Sequence, residues 1–559
     1  MDSRRHDLDA LRGFAMLLGI ALHAALAYVE SGWTVVDPSS SPVLGALVAF
    51  IHGFRMPLFF VLSGFFTAML WQRRGAKGLA KHRAKRILLP LGLGCLTIVP
   101  AMWAVVILAA ASNPTFGVPE SSQNLWAAAS AGDLEQVQRF TNLGWPVDEP
   151  DPFHRQTAMG WAVNHGHPEI VASLIDSGAN LNARYGYSGL DTSLHAAAFF
   201  GRTETARLLV AAGADTTARN ANGETPLDSL KHGEETVETI AGMLEVRVAY
   251  EDVKAGRREV RRLLVETGAG PTDSAVEAGL EQPVAAGATS RTLARLILAG
   301  LMYFPALHHL WFLWILCWLA LGFVAVCTFV PKLARGVRLP WWSLASPAAL
   351  LWLVPLTMLV HSAMFSGRVI PGFGPDTSAG LLPIPSVLAY YAVFFGFGAL
   401  VYAFPEAARR LGTGWQYLLP LAVALFPLAM PISTMDPFGY ELAGDELTRR
   451  TLSALGQSLF CWLMIFGASG LCRRFLSAER PRLRYLSDSS YWLYLAHLPL
   501  VMLGQMILVP VPLPGLAKFA LLLSGSTLVL LASYEWGVRY TFVGALLNGR
   551  KTRPASHPV

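Results

Sequence analysis

Cysteines and charged residues are both scarce in this sequence. Its 559 residues include five cysteines, and 15% are Asp, Glu, Lys or Arg, whereas 53% are hydrophobic. A soluble chain carries charge on about a quarter of its residues. The cysteines lie in or beside apolar runs, and no pair has metal-ligand spacing, so neither a disulfide framework nor a metal site is expected. The composition therefore indicates a membrane protein with several spans.

Ten apolar runs are long enough to cross a bilayer, which takes about 20 residues. They predict an all-α fold: a membrane bundle of about ten transmembrane helices with an inserted helical solenoid. The first run ends near Ala25-Leu26-Ala27 and has the basic start of a signal peptide, but we interpret it as an uncleaved span. Lys and Arg fill every second connection, which predicts a multi-pass protein of the bacterial inner membrane with both termini in the cytoplasm.

The connection over about 112–290 is too long for a loop and contains internal repeats. Glycines spaced by 34 and 35 residues mark the period, and each is followed twelve residues later by another: Gly132, Gly166 and Gly201, then Gly144, Gly178 and Gly213. A period of about 33 resembles that of ankyrin repeats; the alternative is an unrelated helical insertion. Gly256 and Gly268 keep the twelve-residue interval and predict a further, degenerate repeat. The alternation of basic connections places this insert outside the cytoplasm, where we expect a protein partner.

These features divide the chain into predicted domains. Residues 1–111 and 300–540 form the membrane domain, with three helices in the first segment and seven in the second. Residues 121–270 form the ankyrin-repeat insert, and residues 541–559 form a cytoplasmic tail.

Arg12 and His23 are the first candidate functional residues. Their eleven-residue separation places them on one face of a helix, about 16 Å apart, with His23 deep in the apolar layer. A buried imidazole is costly there and indicates a function. A neutral histidine suits the task of a general base, a transient acyl-imidazole is a variant, and a packing histidine is the alternative. Asp9 is about 21 Å from His23 along the helix, so we expect it to pair with Arg12 and not to orient the imidazole.

Several motifs together resemble the acyltransferase 3 family of integral membrane proteins. They are Asp9-Ala10-Leu11-Arg12-Gly13, the Arg12 to His23 spacing, Phe59-Phe60-Val61-Leu62-Ser63-Gly64-Phe65, Arg83-x-x-Arg86, His309-Leu310-Trp311-Phe312-Leu313, Phe394-Phe395-Gly396-Phe397-Gly398 and Ser490-Tyr491-Trp492-Leu493-Tyr494-Leu495-Ala496-His497. The resemblance covers about 1–111 and 300–540. It implies ten helices, an acyl-CoA donor on the cytoplasmic side and transfer to a hydroxyl, commonly on a glycan. We expect no bound cofactor, since acyl-CoA is a substrate, and no nucleic-acid partner.

The resemblance also suggests roles for residues at the ends of the predicted helices. Arg83 and Arg86, together with Arg12, are expected to bind the phosphates of the donor, although a positive-inside loop also explains their charge. The predicted acceptor cleft consists of four side chains near the outer surface: His52, Arg55, His309 and Trp311. Interfacial aromatic and histidine residues are common, so a structural role is the alternative for each. Tyr494 and His497 are predicted to support the site by packing.

The sequence thus predicts an integral membrane O-acyltransferase that moves an acetyl- or succinyl-type group to a hydroxyl, with His23 as the general base and Arg12 and Asp9 as further catalytic residues. Two other functions stay open at this point. The protein could transport a glycan or lipid intermediate, with its polar span residues lining the path. It could also be a membrane-anchored docking protein that displays ankyrin repeats.

Overall fold

The computed structural model of the chain describes residues 5–29, 33–112, 124–151, 156–185, 191–220, 223–244, 246–269, 276, 297–298, 300–329, 340–365, 373–433 and 446–549. These residues are mostly helical, and the one extended pairing among them is an isolated bridge between Tyr185 and Asp191. The chain forms two compact units: a membrane unit, Met1–Ser112 with Arg295–Val559, and a repeat unit, Asn113–Ala294.

The membrane unit is organised around ten long helices that follow the apolar runs. In chain order within the unit, they are α1 (His6–Ala25), α2 (Pro42–Arg83), α3 (Leu89–Ser112), α4 (Trp311–Phe329), α5 (Leu350–Phe365), α6 (Pro385–Ala403), α7 (Trp415–Ser433), α8 (Glu446–Phe475), α9 (Pro481–Leu508) and α10 (Gly515–Ser533). In lipid, an apolar run can satisfy its own backbone N–H and C=O groups only as a helix.

Seven helices in the described part of the chain are long and apolar enough to cross a membrane. One of them, Pro42–Ala109, extends through 68 residues and contains two of the predicted spans, and its backbone leaves the helical conformation at Gly75 (φ 62°). Two shorter apolar helices, Pro347–Ser362 and Trp415–Met430, cover two more. The all-α membrane fold is therefore confirmed, and the number of ten crossings stays a prediction.

Helix α1 lies largely inside the bundle, with Phe14 as an exposed apolar side chain. It packs against α2, α8, α9 and α10, and most of its apolar side chains are buried. Polar side chains on such a helix face other protein groups or a cavity, which lowers the cost of placing them at membrane depth.

Helices α2 and α6 approach each other at glycines of two of the family-like motifs. A methyl group at Gly64 would collide with the carbonyl oxygen of Phe395, and one at Gly398 would collide with that of Val61. Small residues are frequent where membrane helices pack closely, because they let the two backbones meet. The glycines of these motifs therefore have a packing role.

The repeat unit contains three helix pairs with the predicted period. The pairs are Leu125–Ala131 with Leu134–Asn142, Ala158–His165 with Pro168–Asp176, and Ser193–Phe199 with Thr203–Ala211. The turn within each pair contains one glycine in the left-handed region, with φ of 73°, 78° and 64° at Gly132, Gly166 and Gly201. Residues with a Cβ rarely adopt this conformation. Apolar side chains of the successive pairs form one continuous core, as stacked repeats do.

The predicted degenerate repeat at Gly256 and Gly268 stays a prediction: Gly268 has the left-handed φ (89°) of the second glycine in the other repeats, but the region around Gly256 differs from them. Gly256 lies inside a 17-residue helix, Tyr250–Glu266, and not in a turn between two helices. This helix packs against Ser193–Phe199 and Thr203–Ala211, and Gly256 lets it contact the backbone at Gly201. The helix thus covers the last repeat, as a capping element does.

Candidate active site

A cavity of about 960 Å³ lies inside the membrane unit. All eleven residues singled out from the sequence line it: Asp9, Arg12, His23, His52, Arg55, Arg83, Arg86, His309, Trp311, Tyr494 and His497. They come from α1, from α2 and the turn after it, from the start of α4 and from α9. The fold therefore brings these residues to one place, and the role of each stays a prediction.

The cavity follows most of the length of α1. Its lining on this helix extends from Asp9 to Leu26, which corresponds to about 26 Å. The hydrocarbon layer of a bilayer is about 30 Å thick. Arg12 lines the beginning of this path, and Trp33 and Thr34, from the loop after α1, line its other end.

His23 is paired with a second histidine, His497. Its Nδ1 lies 3.0 Å from Nε2 of His497 and 2.9 Å from the carbonyl oxygen of Gly19. Nδ1 of His497 lies 2.9 Å from the carbonyl oxygen of Tyr494. A neutral imidazole carries one N–H, and a carbonyl can only accept. The hydrogen-bond network therefore assigns the N–H of both rings to Nδ1, with His23 donating to Gly19 and to His497.

This assignment leaves the Nε2 of His23 with its lone pair. Both hydrogen bonds of the ring go to Nδ1, and the described residues supply no partner for Nε2. The ring lines the cavity. A histidine that takes a proton from a substrate needs such a nitrogen within reach. His23 thus has the tautomer that a general base requires.

Gln505 fixes the main chain at His23. Its Nε2 donates to the carbonyl oxygen of His23 (2.8 Å), and its Oε1 accepts from the indole of Trp33 (2.9 Å). The Trp33 ring lies 6.2 Å from the His23 ring. In the described part of the chain, His23 is therefore oriented by His497, Gly19 and Gln505, without a carboxylate.

His309 joins the cluster from the start of α4. Its ring centroid lies 5.4 Å from that of His497, its Nε2 donates to the carbonyl oxygen of Leu495 (3.1 Å), and its own carbonyl accepts from the hydroxyl of Tyr494 (2.6 Å). Nδ1 of His309 has no hydrogen-bond partner among the described residues. Within the same residues, no group of three or more His, Cys, Asp or Glu side chains could hold a metal ion.

The residues of the predicted acceptor cleft are buried to different extents. Arg55, His309 and Trp311 are 8%, 9% and 8% exposed, whereas His52 is half-buried. Arg55 contacts Gly19, one turn before His23, and Trp311 packs on the ring of Tyr391 at 5.4 Å. Three of the four are therefore buried in the bundle, and their role in an acceptor cleft stays a prediction.

Arg12 is anchored at the opposite end of the path. Its Nη2 donates to the carbonyl oxygen (2.8 Å) and to Oγ (2.7 Å) of Ser487. Ser487 Oγ donates to Oδ1 of Asp9 (3.3 Å), and the direct separation between Arg12 and Asp9 is 3.8 Å. The expected pair is thus present, and a serine of α9 bridges it.

Arg83 and Arg86 line the cavity at this same end. Arg83 donates to the hydroxyl of Thr67. Arg86 lies in a π-helical turn, Ala84–Leu88, and its Nη1 donates to the carbonyl oxygens of Ala545 (3.0 Å) and Leu546 (2.6 Å). Carbonyls in the last turn of a helix attract cations. Because both bonds of Arg86 to the described residues use Nη1, the N–H groups of Nε and Nη2 are the ones left for a donor phosphate.

Sequence reasoning missed several residues that hold the site together. The most important are Ser487, Gln505 and Trp33. One signal was present: Gln505 is an amide inside a helix that is otherwise apolar around it. Ser487 carried no comparable signal, because its partners Asp9 and Arg12 are more than 470 positions away in the chain.

Comparison with known families supports two of the resemblances. A model of the acyltransferase 3 family, described as an acyltransferase domain, matches residues 5–126 and 278–535, well over half of the chain. A model of ankyrin repeats, in three copies, matches residues 125–220. Both families suspected from the sequence are therefore confirmed.

Curated relatives include the glucans biosynthesis protein C of Salmonella paratyphi B, of Salmonella heidelberg and of Salmonella enteritidis. Each is 33% identical to this chain over 148 residues, which is 26% of this chain and 34% of the relative. The match thus spans about a third of the length of these relatives.

Proposed function

Because the chain belongs to the acyltransferase 3 family and is a membrane acyltransferase, we propose that it transfers an acetyl- or succinyl-type group from cytoplasmic acyl-CoA to a hydroxyl of an extracytoplasmic glycan. The relatives are named for glucan biosynthesis, which makes a glucan the first acceptor to test. Both termini are proposed to lie in the cytoplasm of a bacterial inner membrane. The repeat unit is proposed to lie on the other side and to bind a protein partner.

One observation carries this proposal. Nε2 of His23 has no partner among the described residues, and its ring lines a cavity whose lining follows the chain from Asp9 to Leu26, about 26 Å. Three arginines that suit phosphates, Arg12, Arg83 and Arg86, line one end of it. This arrangement supports a reaction in which the donor's phosphates stay at the arginines and only its uncharged pantetheine arm, with the acyl group, enters the cavity. Moving the phosphates themselves into the apolar layer would cost far more.

His23 would act on the attacking hydroxyl. The hydroxyl oxygen bonds to the thioester carbonyl carbon as Nε2 of His23 takes the hydroxyl proton, and the carbonyl electron pair moves onto its oxygen. When the C=O bond re-forms, the C–S bond breaks and the imidazolium returns the proton to the leaving thiolate. His497 accepts the Nδ1–H of His23 throughout, which stabilises the charged ring.

Replacement of the base tests the proposal directly. Purified protein is incubated with acetyl-CoA or succinyl-CoA and glucan oligosaccharides, and the release of free coenzyme A and the mass of the glucan are measured. His23→Ala is expected to lower kcat about 10³-fold, because the general base is lost.

A control on the same helix is Phe14→Ala, since Phe14 is exposed on the outer face of α1. It should retain wild-type activity, and both variants should keep the thermal stability of the parent. Coenzyme A release by His23→Ala at the wild-type rate would refute the role of His23. A wild-type protein that cleaves no thioester with either donor would instead favour a transporter.

A further inference from the structure

Arg55 is a buried arginine without a counter-charge in the part of the chain that the structure describes. It is 8% exposed and lines the cavity. Its Nε is buried without a hydrogen-bond partner, and within the described residues no carboxylate forms an ion pair with it. The groups that act on it electrostatically are the hydroxyls of Tyr391 and Tyr494, which are neutral at physiological pH.

The absence of a side chain at Gly19 leaves room for the guanidinium of Arg55 one helical turn before His23. Nη1 of Arg55 occupies the place where a Cβ of residue 19 would be, so that only glycine leaves room for it. The carbonyl oxygen of the same Gly19 accepts from Nδ1 of His23. Arg55 and His23 therefore both contact Gly19. The positive charge of Arg55 acts on the rings of His23 and His497.

A charge in this position is unfavourable unless an anion joins it. Burying an unpaired ionised group is among the most costly arrangements in a protein, and an isolated arginine inside a membrane is especially so. Exchanging such a charge for an apolar side chain of similar volume is often neutral or stabilising. Arg55 is therefore suited to a negative charge that arrives with the substrate or develops during the reaction.

We propose that Arg55 binds the oxyanion that forms on the thioester carbonyl oxygen when the acceptor hydroxyl attacks. This inference rests on the proposed acyl transfer. The electron pair that leaves the C=O bond is placed on an oxygen facing the guanidinium, while the proton goes to His23. The oxygen returns the pair to carbon as the C–S bond breaks. A fixed donor aimed at charge that develops only in the transition state acts on kcat and not on substrate binding.

The competing source of negative charge is a carboxylate at the far end of the acyl group. Parallel assays with acetyl-CoA and succinyl-CoA separate the two, because only the second acyl group carries a carboxylate. For an oxyanion, Arg55→Gln is expected to lower kcat about 10²- to 10³-fold with both donors and to leave KM for the donor within about threefold. Arg55→Lys should recover part of the loss, since it keeps the charge without the planar fork. A loss confined to succinyl-CoA, or a change in KM alone, would overturn the proposal.

Gly19→Ala provides a test that leaves Arg55 itself intact. Alanine is a better helix former than glycine, so α1 should fold normally, but the added methyl must displace the guanidinium. We expect kcat to fall by at least about tenfold, as it does when an oxyanion donor is misplaced. The matched control is Gly525→Ala in α10, where a methyl meets no atom within 4 Å; it should keep full activity. Equal activity of Gly19→Ala and Gly525→Ala would contradict the proposal.

Thermal stability in detergent distinguishes this role from a structural one without any activity assay. Arg55→Met should melt at the same temperature as the parent or higher, because it removes an unpaired buried charge. A clear fall in melting temperature would show that Arg55 holds the fold together and would overturn the inference. If the parent cleaves no thioester, the proposed acyl transfer fails and the oxyanion role fails with it. An active parent with fully active Arg55→Gln contradicts the oxyanion role alone.

Discussion

Arg257 in the repeat unit and Arg55 in the membrane unit are both buried, but only Arg257 is surrounded by acceptors. Arg257 has no exposed surface, and Arg55 is 8% exposed. Arg257 donates through Nε to the carbonyl oxygen of Phe199 (2.9 Å) and through Nη1 to that of Leu230 (3.2 Å), and it also reaches the carbonyl oxygen of His232. Burial lowers the pKa of Arg257 to about 10, so it stays protonated at neutral pH.

The difference separates two uses of a buried charge. Arg257 supplies donors to carbonyls that the irregular end of the repeats would otherwise leave unpaired, so its guanidinium is part of the fold. Among the described residues, no backbone carbonyl depends on Arg55 for a hydrogen bond in this way. A buried charge whose hydrogen bonds are complete indicates a structural role, and one left incomplete beside a cavity indicates a ligand or a reaction.

The largest expected effect is on the repeat unit. Arg257→Met should lower the free energy of unfolding of that unit by about 4 kcal/mol, because it leaves several buried carbonyl oxygens without donors. Hydrogen exchange of peptides from the repeat unit, measured in the full-length protein, reports this loss. Arg262→Met, on the exposed face of the same helix, is the control and should exchange like the parent. Unchanged hydrogen-exchange protection in Arg257→Met would mean that Arg257 does not stabilise the repeat unit, and the contrast between a structural Arg257 and a functional Arg55 would fail.

A buried ion pair tests whether a buried charge with a complete set of partners also stabilises the membrane unit. Lys518 Nζ lies 2.7 Å from Oδ2 of Asp37, with both side chains almost fully buried. Asp37→Asn should cost about 3 kcal/mol, because it leaves the ammonium unpaired. Melting in detergent measures the cost. Glu406→Gln, which alters an exposed pair, should melt like the parent, and an equally stable Asp37→Asn would show that paired charges do not stabilise this unit.

The same pair predicts a dependence on pH. Burial alone would raise the pKa of Asp37, but hydrogen bonds from Lys518 and Ser39 outweigh it, so the pKa lies below its ordinary value. The contribution of the pair is therefore complete above the unfolded-state pKa of about 3.9 and is lost as the pH falls through the folded-state pKa. The difference in melting temperature between parent and Asp37→Asn should shrink below about pH 4. A constant difference would contradict this assignment.

The smallest expected effect concerns His497. Both of its ring nitrogens are hydrogen-bonded, and one of these bonds is to His23. His497→Leu should lower kcat about 10- to 100-fold, the range seen when the partner of a working histidine is removed. KM should change little, and His497→Gln, whose side-chain oxygen can accept from His23, should recover part of the rate. A loss of stability without this split between kcat and KM would place His497 with Arg257, as a structural residue.

Much of the fold and the membership of the site followed from local patterns. Apolar runs located the helices, and the spacing of Gly132, Gly166 and Gly201 located the three repeats. The spacing of Gly256 and Gly268 was less informative, because Gly256 lies inside a helix and only Gly268 lies in a turn. Local signals cannot distinguish a turn glycine from one that allows two backbones to touch.

The pairing of residues within the site could not be predicted. His23 and His497, or Arg12 and Ser487, are joined by the packing of α1 against α9, which depends on contacts between distant parts of the chain. The burial of Arg55 and His309 depends on packing of the same kind. Sequence position placed both near the outer ends of their helices but could not show that neighbouring helices bury them.

The glycine contacts between α2 and α6 also bear on how the cavity can change shape. The backbones of α2 and α6 are in contact at Gly64 and Gly398, so the two helices cannot slide past each other without a clash between a carbonyl oxygen and the neighbouring backbone. These two helices should therefore move together as one rigid unit. Widening or narrowing of the passage, when a substrate enters or a product leaves, is then expected to come from the other helices that line it: α1, α3, α4 and α9.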